Sequence, residues 1–235
     1  VREVHDRAAR DGQWKIVCSA LRALERFGPA AAAARPAVRA LTAPGGPGGA
    51  ETALVAIAAL RALGADPDEL LPLLLSGPDE DGGPFRFHDL GGVAELLGAI
   101  GPAAAAALPG LREHAVGRGW TSVHCAAALW AVGGVDEAAA VLDVLLPAWE
   151  ANLYTARVVV PCLERMGPAA RPAAPLLRAW LARPGRGGAF GGLEQDEELC
   201  RAGRAVLAAL GEPESEPESE PQSEPGPGPA AWRGR

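Results

Sequence analysis

Ile100-Gly101-Pro102-Ala103-Ala104-Ala105-Ala106-Ala107-Leu108-Pro109-Gly110-Leu111 is the stretch that decides the fold, because close copies of it recur along the chain. Phe27-Gly28-Pro29-Ala30 leads to Arg35-Pro36-Ala37-Val38, and Met166-Gly167-Pro168-Ala169 leads to Ala174-Pro175-Leu176-Leu177. Leu63-Gly64-Ala65-Asp66 leads more loosely to Leu71-Pro72-Leu73-Leu74. In all four a proline stands eight residues after the glycine. With Gly28, Gly64, Gly101, Gly133, Gly167 and Gly211 as anchors, the intervals are 36, 37, 32, 34 and 44 residues, the size of a stacked structural repeat. Four residues before each anchor stands a leucine: Leu24, Leu60, Leu97, Leu129, Leu163 and Leu207. An apolar residue immediately precedes each anchor, and a small or aliphatic one lies eight before it. Offsets of one, four and eight share one face of a helix.

Each unit then reads as two helices. The first ends at the glycine, which takes a left-handed C-terminal position without steric cost. The alanine run after it is too short to stand alone. The second proline opens a second helix, where its fixed φ suits the first turn. A pair of helices with one apolar face each must stack on its neighbours to bury that face. The expectation is an all-α fold over residues 1–211, followed by a disordered acidic Glu/Pro/Ser-rich tail, 212–235, that has no core-forming residues and whose removal leaves stability nearly unchanged. The fourth unit departs from the pattern with Val141 where the others have proline, and the sixth lacks a second helix. Pro161, six before Gly167, is expected to kink or break its helix, because its ring crowds the Arg157 carbonyl and its N–H is missing.

The pattern Leu-x-x-Φ-Gly-Pro-Ala-Ala-x-x-Φ-Pro-x-Leu resembles the HEAT repeat, in particular the short bacterial PBS-lyase-type HEAT-like variety, over roughly Gln13 to Leu210. The resemblance implies an α-solenoid of about five to six helix pairs, with second helices lining a concave surface that binds proteins. It brings no catalytic residues, because the repeat motif is structural.

Charge narrows the partner. The net charge is −7, and the segment from Gly211 onward holds six glutamates and two arginines, so the body carries 23 acids against 20 bases. A near-neutral body does not point to nucleic acid. No apolar run is read as approaching the roughly 20 residues that span a bilayer. Val1 to Asp11 reads as the polar opening of a first helix, with no signal-peptide pattern. Cys18, Cys125, Cys162 and Cys200 fall in first helices without C-x-x-C pairing. They read as core hydrophobes in a reducing, cytoplasmic setting, with disulfides or a metal as the alternative.

Chemistry is hard to find in the sequence. His124 and Cys125 are adjacent, but neighbours on a helix point about 100° apart. His5, His88 and His114 are scattered, and no zinc spacing, nucleophile elbow or phosphate-binding glycine loop is present. The surface candidates are Arg39, Arg112 and Arg178, each three residues after a second-helix proline, with Leu75 at that offset in unit two. Stacked repeats would align these arginines as an interrupted ladder on the concave face, where acidic groups of a partner could meet them. Trp130 is the fourth candidate, as an exposed anchor or as packing between units. The expected function is therefore a non-enzymatic scaffold or adaptor that binds a protein on its second-helix face, with no cofactor and no metal. The rivals are a HEAT-like enzyme, of the bilin-lyase or DNA-glycosylase kind, and a structural spacer.

Overall fold

The computed structural model describes residues 2–43, 49–75, 89–183 and 192–211, and among these there is helix and turn but no strand. The side chains of residues 2–12 and 193, the loops around 44–48, 76–88 and 184–191, and the tail from 212 onward lie outside that description. The α-helices are α1 (Arg2–Phe27), α2 (Arg35–Ala40), α3 (Gly49–Ala62), α4 (Pro67–Leu75), α5 (Leu90–Ile100), α6 (Leu108–His114), α7 (Trp120–Gly133), α8 (Ala138–Ala151), α9 (Ala156–Met166), α10 (Ala174–Leu181) and α11 (Leu193–Ala209).

Packing follows chain order. Each odd-numbered helix packs on the next odd-numbered one, from α1 on α3 to α9 on α11. Each even-numbered helix packs on the odd helix that follows it. The leucines four before the glycines supply the seam: Leu60, Leu97, Leu129, Leu163 and Leu207 are buried. Burying one such side chain stabilises by about 1.5–3 kcal/mol. Small residues eight before the glycines, such as Ala56, Val93, Cys125 and Val159, are also buried and let neighbouring helices approach closely. The first unit departs from this scheme, since Leu24 is only half-buried and Phe27 is 69% exposed.

The turn at the end of each odd helix has the conformation that its glycine demands. Gly101 sits at φ 76, and its N–H donates to the Leu97 carbonyl. Gly28, Gly64, Gly167 and Gly211 also have positive φ. The alanine runs are not loose connectors: Gly28–Ala34 and Gly101–Ala107 are each two short 3₁₀ turns that meet at a kink, at Ala31 and Ala104, and Gly167–Ala173 is also 3₁₀. Pro36, Pro109 and Pro175 then stand in the first turn of α2, α6 and α10.

Two expectations need correction here. In the fourth unit the left-handed glycine is Gly134 (φ 67), whereas Gly133 has φ −97 and is the last residue of α7. The first helix keeps the register of Gly133, with Cys125, Leu129 and Val132 buried, while the second half takes the register of Gly134, which puts Val144 in the buried place of Val38, Leu111 and Leu177. One extra residue is thus accommodated at the joint. Second, of the kink or break expected at Pro161 the break is not seen, since α9 runs as one helix from Ala156 through Pro161 to Met166. Pro161 crowds the carbonyl of Arg157, the second residue of α9, which the 3₁₀ turn Leu153–Thr155 leads into directly.

The stretch Leu90–His114 also corrects the reading of hydropathy. Its most apolar window has a mean hydropathy of 1.4, and by length and composition it passes for a membrane-crossing helix. In the structure it is α5, a 3₁₀ helix and α6, turned at Gly101, with Val93, Leu97, Ala104 and Leu111 in the core.

Candidate functional site

Two of the arginines singled out in sequence, Arg39 and Arg112, reach from an even-numbered helix to the next unit. Arg35 and Arg39 of α2 both donate to the Glu69 carboxylate of α4, Arg35 at 2.8 Å through its Nη2. Burial would push the Glu69 carboxyl up, but the hydrogen bonds and charges of Arg39 and Arg35 outweigh it and hold the group below the usual carboxylate range. Arg112 of α6 grips Glu137 with two donors, its Nε at 3.2 Å from Oε2 and its Nη2 on Oε1. This fork-on-carboxylate geometry is the strong form of the pair. Arg178 stands half-buried in α10, and Trp130 is half-buried against the core.

Glu137 is the residue that sequence reading passed over. It follows Gly134 by three, where the first, third and fifth units have the alanines Ala31, Ala104 and Ala170, and its side chain is only 8% exposed. The room for it comes from Gly133: a Cβ there would lie 2.5 Å from the Glu137 Cγ and 3.2 Å from the Leu108 Cδ2. Other units fill this place with Leu63 or Met166. The fourth unit has exchanged an apolar joint for a buried carboxylate held by the preceding unit's arginine.

A second site, absent from the sequence reading, lies on the odd-numbered helices. A groove of ≈ 290 Å³ runs across α5, α7 and α9, and an adjoining hollow of ≈ 330 Å³ shares Glu95 and His124 with it. The floor is made of small residues: a Cβ on Gly98 would touch the Ala128 Cα at 3.4 Å, so α5 and α7 approach closely there. His124 lines both the groove and the hollow, and Trp120, four residues before it on the same face of α7 with ring centroids 6.0 Å apart, lines the adjoining hollow. Trp120 is 43% exposed. The Nδ1–H of His124 lies 3.1 Å from the Glu95 Oε1 of α5, and this hydrogen bond holds the Glu95 carboxyl below its ordinary range. One wall of the groove is α9, whose Arg157, Pro161 and Arg165 follow at four-residue intervals and line it. No described carboxylate lies within ion-pair range of Arg157 or Arg165.

The neighbour of His124 in sequence is not its chemical partner. Cys125 is fully buried, and burial pushes its thiol up to about 11. The Cys162 thiol is also pushed up to about 11, by burial against the opposing influence of Arg165. All four cysteines are buried and none is in a disulfide, and Cys18 meets Thr52 across α1 and α3 at 3.7 Å. Among the described residues no group of histidine, cysteine and acidic side chains is arranged to hold a metal ion. No family model, no curated protein and no solved structure matches the chain.

Proposed function

We propose that the chain is an α-solenoid of HEAT-like helix pairs that works as a non-enzymatic, protein-binding scaffold. The odd-on-odd packing of successive helices supports the solenoid, since each unit buries its apolar face only against its neighbours. The binding surface is the groove across α5, α7 and α9. The observation that carries this choice is the contrast in arginines: Arg39 and Arg112 are engaged by Glu69 and Glu137, whereas Arg157 and Arg165 face an open groove beside an exposed tryptophan. Tryptophan and arginine around small apolar floor residues are the composition of an interface hot spot.

A photo-crosslinking residue at the exposed rim position Thr121, in the source cell, tests the assignment. The expected result is a discrete crosslinked protein that disappears when Arg157 and Arg165 are both changed to glutamate. A crosslinker placed instead at Ala179 of α10 should give no such product. Equal yields of the same product from both faces would overturn the placement of the partner.

A further inference from the structure

We infer that the groove is built to take an extended acidic peptide with glutamates four residues apart, and that its occupant in the free chain is the chain's own segment 212–220. The inference rests on the groove being a peptide-binding surface. Arg157 and Arg165 are eight helical residues apart, so their Cα atoms are separated along the axis by about 12 Å at a rise of about 1.5 Å per residue. A strand-like extended chain advances about 3.3 Å per residue and its side chains alternate sides, so side chains four residues apart lie on one side and are separated by about 13 Å. Glu212 and Glu216, Glu214 and Glu218, and Glu216 and Glu220 all have that spacing, in a segment whose Pro213 and Pro217 disfavour helix. The match therefore survives a slide of two residues.

Charge and position agree with spacing. The two arginines have no carboxylate from the described residues, and Glu95 is already matched by His124. Trp120 offers an aromatic surface of the kind that proline-rich peptides dock on. The segment leaves the described chain at Gly211, directly after α11, and α11 packs on α9, the helix that carries both arginines. Nine extended residues reach about 28 Å, against the 8–10 Å or so between packed helices. Occupied in this way, the groove would be closed to a partner until an acidic competitor displaced the segment.

The test uses the full chain with a nitroxide attached at Ser219→Cys, the native thiols being buried. The expected result is loss of the amide NMR signals of Glu95, Thr121 and Arg157, and their recovery in the R157E/R165E chain and in the chain with glutamates 212, 214, 216, 218 and 220 changed to glutamine. Signal loss around Arg178 instead, or no loss at all, would overturn the inference. So would loss that appears only on mixing nitroxide-bearing and isotope-labelled copies, which would make the occupant a second chain. If the segment does not dock while the Thr121 crosslink persists, the groove remains a partner site and only its resident peptide is wrong.

Discussion

Arginines on the two sides of this molecule have opposite surroundings. On the side of the even-numbered helices, Arg39 and Arg112 each reach forward into the next unit and hold a carboxylate there. On the side of the odd-numbered helices, Arg157 and Arg165 line a groove and meet no described carboxylate. The spacing that makes the first set conspicuous in sequence is the spacing of the repeat itself. A residue recurring with the period of a stacked fold is placed to serve the joint between units, and its regularity is no measure of its availability to a partner. The second set has no such periodicity, and it is the neighbours across three helices that give it a role.

The largest break in this comparison is expected at Gly133. A valine there would put its Cβ 2.5 Å from the Glu137 Cγ, and overpacking of this kind costs about 1–3 kcal/mol or more. Denaturant unfolding should show that loss, and adding Glu137→Ala to the same chain should recover most of it. Arg112→Ala is next. It leaves the Glu137 carboxylate buried without its fork and should destabilise the chain, and the R112A/E137A chain should be more stable than R112A alone. If the two single losses simply add, the pair is not a joint.

The Glu69 pair gives a smaller and pH-dependent effect. Its carboxyl titrates below the ordinary range in the folded chain because Arg39 and Arg35 outweigh the effect of burial. The unfolded chain takes up that proton at about pH 4.3. The stability this supplies is therefore present above the unfolded value and is lost as pH falls through the folded one. Between pH 5 and the folded value a Glu69→Gln chain should lose less stability than the parent. Parallel acid profiles for the two chains would mean that Glu69 is merely solvated. The R157E/R165E chain should show the least change, within about 0.5 kcal/mol of the parent, as for surface positions away from packed features.

Much of this architecture was legible in the sequence because helix turns leave a chemical mark. A left-handed turn demands glycine, and Gly28, Gly64, Gly101, Gly167 and Gly211 stand where the pattern placed them. The buried leucines follow from helix periodicity. The slip at Gly133 and Gly134 was not legible, because two adjacent glycines give the same signal and only the bulk of Glu137 decides between them. Glu69 and Glu137 stand at different offsets from their glycines, five and three residues, so no repeat alignment would have paired them with Arg39 and Arg112. The groove was hidden for the same reason: Glu95, His124 and Arg157 come from three helices and share no motif.

The division between joint and groove is tested most directly by one measurement, the thermal midpoints of two single charge reversals compared side by side. Arg112→Glu sets a second carboxylate against the buried Glu137, and at roughly 2–4 °C per kcal/mol for a chain of this size its midpoint should fall by about 4 °C or more. Arg157→Glu should melt within about 1 °C of the parent, because no described partner is lost. Equal shifts for the two reversals, or a larger fall for Arg157→Glu, would contradict the account.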